Sequence, residues 1–172
     1  MRRFQTKRLT IRPMDERDVD AVFEMLRDPK TMEFFVEGIY NKSKVREIAN
    51  RNKTEPRHYV VMLNDTFEII GKISWHEWFM KRTYEIGWIF NKKHFGNGYA
   101  TEAAKRFVKY GFTELNLHRI IATCQPENIP SKRVCEKLNM RLEGTFKKCI
   151  HFKDDEWWDE LFYGLLKEDY KE

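Results

Sequence analysis

The sequence predicts an α+β fold on a mixed, mostly antiparallel sheet with one parallel strand pair flanked by helices. Three observations carry this. Alternating apolar segments parted by short polar turns fill residues 58–90. Gly96 and Gly98 then open a helical pattern, with Ala100, Ala103, Ala104, Phe107, Val108 and Gly111 recurring at three- and four-residue spacing. The β-branched run Ile120-Ile121-Ala122-Thr123 comes next, and strand, helix, strand in that order makes a parallel pair with a right-handed crossover.

Taken in order, residues 3–12 end in the alternating Leu9-Thr10-Ile11-Arg12, a first strand stopped by Pro13. Asp15 is placed to cap a helix carrying Val19, Val22, Phe23, Met25 and Leu26, which ends before Pro29. A weaker helix over 42–52 follows the aromatic loop at 33–38. Residues 58–63 and 68–78 read as strands joined through a short Asn64-Asp65 hairpin turn, and 84–90 as another across Lys81-Arg82. The glycine turn and helix cover 98–115, and a strand covers 119–124. A last helix over 128–138 leads to strands over 141–152 and 157–166. There is no internal repeat or linker, so 1–172 reads as a single domain.

Composition excludes several classes. No apolar run approaches the ~20 residues of a membrane span, and the N-terminal Arg2 and Arg3 have no apolar stretch behind them, as a secretory signal would. Cys124, Cys135 and Cys149 are odd in number and include no Cys-x-x-Cys pair. That argues against a disulfide framework or metal centre and fits a reducing cytoplasm. His58, His76, His94, His118 and His151 match no ligand spacing. The net charge of +5 is interleaved rather than gathered in a stripe, which speaks against nucleic acid. Residues 154–172 alone carry −6, leaving +11 on the rest. That tail is either a solvated acidic face or a wall attracting a cationic amine.

The stretch from His94 to Ala104 is where chemistry is expected. A glycine turn entering a helix gathers unpaired N–H groups at the positive end of the helix dipole, a seat for phosphate or simply a strand-to-helix turn. No lysine follows Gly98, as a nucleotide-hydrolase P-loop needs, and Thr101 stands where a dinucleotide fingerprint needs a third small residue. Phe95-Gly96-Asn97-Gly98-Tyr99-Ala100 resembles the coenzyme A loop of the GNAT superfamily of N-acetyltransferases, written Gln/Arg-x-x-Gly-x-Gly/Ala, with Phe95 departing at its first position. An aromatic there, the strand Thr6-Lys7-Arg8-Leu9-Thr10-Ile11-Arg12, Asp28-Pro29 and the closing 161–170 resemble the branch that acetylates ribosomal-protein N-termini.

The resemblance implies acetyl-CoA as co-substrate, no metal, and an amine acceptor: a protein N-terminus, a polyamine or an aminoglycoside. It covers nearly the whole chain. It implies that Trp88, Ile89 and Phe90 pair with pantetheine at a splayed parallel pair. The N–H groups from Phe95 through Gly96, Asn97, Gly98, Tyr99 and Ala100 to Thr101 would hold the pyrophosphate. Asn128 and Ser131 match an Asn-x-x-Ser motif in which Asn128 contacts pantetheine or caps the helix, and Ser131 lies near the sulfur. Many relatives place a thiolate-protonating tyrosine where Cys135 stands here, which leaves Ser131 as the donor. Glu85, sharing a face with Gly87 and Ile89 by alternation unless a bulge intervenes, is the expected base or else a structural carboxylate. A non-catalytic acyl-CoA sensor keeping the same cleft is the reading from another class. Oligomeric state is not legible.

Overall fold

The expected first strand is two strands in the computed structural model, which describes residues 2–171. β1 (Phe4–Gln5) and β2 (Leu9–Pro13) pair antiparallel, with Phe4 opposite Ile11. The chain reverses at Thr6, whose N–H donates to the Leu9 carbonyl (2.9 Å) and whose hydroxyl accepts the Leu9 N–H (3.0 Å). Asp15 caps as expected, but it caps a 3-10 turn, Glu16–Asp18. The helix proper, α1 (Val19–Leu26), begins only afterwards and buries Val19, Val22, Met25 and Leu26. Asp18 can be buried because Arg12 grips both its oxygens, at 2.7 and 2.6 Å. Helix α2 (Lys42–Arg51) is capped by Asn41, whose side chain accepts the Lys44 N–H at 2.8 Å.

The remaining elements follow the predicted order with bounds shifted by a residue or two: β3 (His58–Leu63), β4 (Ile69–Glu77), β5 (Thr83–Phe90), α3 (Tyr99–Thr113), β6 (Arg119–Cys124), α4 (Ile129–Lys137), β7 (Arg141–Lys153) and β8 (Glu156–Leu166). The strands form one eight-stranded sheet in the order β1-β2-β3-β4-β5-β6-β8-β7. Only β5 and β6 are parallel among the registered pairs. Their pairs are Thr83 with Arg119, Tyr84 with Ile120 and Glu85 with Ile121, although both strands run on beyond them.

The turn between β3 and β4 spans residues 64–68, one residue longer than the predicted strands leave, and Asn64 within it is drawn toward β2. Its N–H donates to the Arg8 carbonyl (2.9 Å), its side chain accepts the Thr10 hydroxyl (2.9 Å), and Phe67 takes the positive φ of +58°. Along β5 the buried positions are Thr83, Ile86 and Phe90, while Glu85, Gly87 and Ile89 are all half-buried.

The chain forms two compact units. One comprises Met1–Trp75 and Trp88–Arg106, the other His76–Gly87 and Phe107–Glu172. In the first, α1 and α2 close over Met14, Met32 and Val60, with Ile89 packed against that cluster. Gly71 has no room for a side chain, because a Cβ there would come within 2.5 Å of the Phe90 ring. That contact fixes the end of β5. In the second unit, Phe107, Phe112, Ile120, Ile121, Leu161 and Tyr163 are buried. Among the described residues, no helix is long and apolar enough to cross a membrane.

One charged side chain lies in the buried stretch of β4. Lys72 is 6% exposed, with its Nζ 3.3 Å from His58 Nδ1. Burial lowers its pKa to about 8, against the opposing charge of Glu37. The unfolded chain holds that proton up to about 10.4, so stability is highest above that pH and falls as pH drops through 8. At neutral pH the buried ammonium is a net cost. Lys72→Met should therefore stabilise the protein by about 1–3 kcal/mol at pH 7, with the gain shrinking toward zero near pH 10.5, as read by thermal melts across that range.

Candidate active site

In the first unit the glycine loop is prepared by a capped turn. Asn91 accepts the Lys93 N–H (3.0 Å), closing a 3-10 turn over Lys92–His94. Phe95 is extended, and Gly96 and Gly98 both take left-handed angles, φ +79° and +77°. Residues with a Cβ rarely adopt that region, so glycine is required twice within three residues. Space in front of both is open. Nothing lies within 4 Å of a Cβ on Gly96, and only an Arg8 nitrogen, at 3.8 Å, on Gly98.

The expected anion donors divide. The Phe95 N–H already donates to the Lys92 carbonyl at 3.2 Å. Helix α3 makes its first backbone bond from Glu102 N–H to Gly98 carbonyl (3.0 Å), which leaves the N–H groups of Tyr99, Ala100 and Thr101 without a helical partner. Phe95, Gly96, Asn97 and Gly98 are exposed; Tyr99, Ala100 and Thr101 are half-buried. An anion such as the pyrophosphate of coenzyme A fits main-chain donors in front of two open glycines at the head of a fifteen-residue helix. Trp88 and Ile89, at the end of β5, are half-buried in the same unit, and Phe90 is buried beneath Gly71.

What the sequence did not disclose is the clamp that holds the loop. Glu102 accepts the Thr6 hydroxyl (2.6 Å), the Arg8 N–H (2.9 Å) and the Arg8 Nε (2.7 Å). Arg8 also donates to the Asn97 carbonyl (3.0 Å) and lies 4.4 Å over the Tyr99 ring. Burial works to raise the Glu102 pKa, but the hydrogen bonds from Thr6 and Arg8 outweigh it and hold the carboxyl below its usual range. Arg8 and Glu102 neutralise each other, so the pull on an anion comes from the backbone rather than from a lysine. An acid in the first turn of α3 was a visible signal; its partner 94 residues away was not.

In the second unit Glu85 is about a quarter exposed and held from both sides. His76 Nε2 lies 3.4 Å from its Oε2 and the Thr123 hydroxyl 3.5 Å from its Oε1. Glu160 belongs to the same group: burial raises its carboxyl above the usual range, the nearby Thr123 hydroxyl works against that, and the charge of Glu85 adds to the rise. The acidic tail therefore divides: Glu160 faces Glu85, whereas Asp159 pairs with Lys147 at 2.8 Å. Trp78 and Phe146 flank Phe162 beside this group, with ring centroids 5.4 and 5.7 Å away. Asn128 caps α4 through the Ser131 N–H (3.2 Å), and Ser131 stays half-buried at the first turn. Cys135, one turn further on, is fully buried. Its hydrogen bond with Cys124 and its burial raise its thiol, keeping it protonated. Among the described residues, no three His, Cys, Asp or Glu side chains gather as a metal site.

An eight-stranded mixed sheet whose one parallel pair is crossed by a glycine-initiated helix defines an acyl-CoA-dependent transferase fold. The model of the Acetyltransferase (GNAT) domain matches residues 8–141. The chain belongs to the GNAT family and is an N-acetyltransferase, a class whose acyl donor is acetyl-CoA. It is 48% identical over 166 residues to the uncharacterized N-acetyltransferase YnaD of Bacillus subtilis, covering 96% of this chain and 97% of that one. The crystal structure of a GNAT-family acetyltransferase from Bacillus anthracis superposes with a TM-score of 0.92 at 46% identity, over 97% and 99% of the two chains. Two further structures share the fold at lower identity. One is a spermidine N-acetyltransferase from Vibrio cholerae in complex with CoA and spermine (TM-score 0.83, 22% identity, 95% and 98% covered). The other is a ribosomal-protein-S5-alanine acetyltransferase from Vibrio fischeri (TM-score 0.82, 19% identity, 100% of both).

The clamp gives a prediction for this site. Glu102→Ala should destabilise the protein by about 1–2 kcal/mol, since Thr6 and Arg8 lose a charged acceptor. It should also speed amide exchange in residues 95–101. The carboxyl is held low in the folded state, so its contribution is present above the unfolded value near 4.3 and fades as pH falls through the folded one. Mutant and wild-type melting temperatures should accordingly converge in acid.

Proposed function

We propose that the chain transfers the acetyl group of acetyl-CoA to a primary amine, with Glu85 as the proton acceptor. The observation that carries this is the end of the parallel register at Glu85 and Ile121. Beyond it β5 runs on through Trp88, Ile89 and Phe90, the stretch along which a pantetheine would pair as a neighbouring strand does. Gly96 to Thr101 would seat the pyrophosphate, and Asn128 would orient the pantetheine while capping α4.

The chemistry needs little else. An alkylammonium with a pKa near 10 must lose a proton before its nitrogen can attack. Glu85 takes it, and the nitrogen lone pair forms the amide bond as the carbon–sulfur bond breaks. The Ile89 N–H would polarise the thioester carbonyl, and Ser131 would return a proton to the leaving thiolate. Holding both substrates in contact supplies much of the rate. The closing strand and the Thr6–Arg12 motif favour a protein N-terminal amine, ribosomal proteins among them, as the acceptor. A second reading, a small cationic amine such as a polyamine, is favoured by Glu85 and Glu160 lying beside Trp78 and Phe162.

Thiol release from acetyl-CoA, measured against N-terminal peptides, polyamines and aminoglycosides in parallel, decides the acceptor. With the best of these, Glu85→Gln should lower turnover by roughly 10²–10⁴, the usual worth of a positioned base. The deficit should narrow as pH rises and solution supplies the free amine. Turnover within a few-fold of wild type, with a parallel pH profile, would make Glu85 structural. Ser131→Ala should slow turnover with coenzyme affinity kept, whereas Cys135→Ala, sealed in the core, should do much less; the reverse ranking would give the thiol the donor's role.

A further inference from the structure

Thr123 stands between two carboxylates. Its hydroxyl is 3.5 Å from Glu85 Oε1, the long limit of a hydrogen bond, and it lies close enough to Glu160 to oppose the raising of that carboxyl. His76, Glu85, Thr123 and Glu160 lie on the successive strands β4, β5, β6 and β8. Register sets the last three on one face: Glu85 is opposite Ile121, two residues before Thr123, and Thr123 is opposite Phe162, two residues after Glu160. Other groups near the row are His76 on the far oxygen of Glu85, and Cys124 and Cys149, both of which feel the charge of Glu160. Lys132 faces Cys124 from α4.

A hydroxyl has a single proton to donate, so Thr123 can serve only one of the two carboxylates at a time. We propose that Glu160 is a positioning residue for acetyl transfer: through the Thr123 hydroxyl it decides whether Glu85 is a free acceptor for the amine proton. This rests on Glu85 as the base. When Glu160 is protonated, its O–H donates to Thr123 and the Thr123 hydroxyl donates to Glu85, so one Glu85 oxygen is already occupied. When Glu160 is ionised, the hydroxyl turns to it, and Glu85 keeps His76 on one oxygen with the other open. The ammonium N–H bond then breaks toward that open oxygen, and the electron pair stays on nitrogen. Burial and the charge of Glu85 hold Glu160 protonated to a higher pH than an ordinary glutamate, so the change falls above about 4.3.

The test uses the full chain with ¹³Cδ-labelled glutamate, followed by NMR across pH, with Glu85→Gln and Glu160→Gln to assign the two resonances. In the wild type, the Glu85 resonance should inflect at the pH where Glu160 titrates. Glu160→Gln and Thr123→Val should each remove that inflection while melting temperatures show both variants folded. With spermidine or an alanine-terminated peptide as acceptor, Glu160→Gln should also lose the matching step in its pH–rate profile. Its turnover should fall by about tenfold with the KM for acetyl-CoA kept, the effect of one unit of proton affinity. An identical Glu85 titration curve in wild type and Glu160→Gln, with Glu85→Gln still inactive, overturns the role of Glu160 alone. Coupled resonances with Glu85→Gln fully active would instead remove the base assignment, and the catalytic meaning of the row with it.

Discussion

Three parallel residue pairs, from Thr83 with Arg119 to Glu85 with Ile121, impose most of what is functional in this chain. A parallel neighbour cannot be reached by a tight turn, so the chain must cross over, and here the crossover is α3. A helix that starts just past a strand end brings unsatisfied N–H groups with it. The open helix N-terminus at Gly96 to Thr101 therefore follows from the connection itself. Two glycines at positive φ keep its approach clear.

Charge is handled in opposite ways at the two places where chemistry is expected. At the loop, Glu102 is matched by Thr6 and Arg8, and the result is a rigid, locally neutral support. At Glu85 the match is incomplete. A histidine ring and a threonine hydroxyl stand at 3.4 and 3.5 Å, and a second carboxylate, Glu160, lies behind the hydroxyl. Cys135 is the contrasting case: a reactive atom type made inert by complete burial.

Much of this was legible in the sequence, and the reason is locality. The order of elements, the parallel step, the glycine loop, the Asn128 cap and the isolation of Glu85 on its strand are all written within windows of about a dozen residues. In such windows periodicity, capping and turn chemistry act directly. Tertiary structure decided what depends on residues far apart in the chain. It broke the first strand at Thr6, because Glu102, 96 residues away, holds that hydroxyl. It tied the turn after β3 to β2, because Asn64 bonds to Thr10 and Arg8. It put Glu160 behind Thr123 through pairing between strands distant in sequence. A side chain's partner across a sheet is fixed by register, and register is a property of the assembled sheet. The sequence by itself determined the family's fold and its glycine loop; only the folded chain decided which charges are paired and which stand together in the row from Glu85 to Glu160.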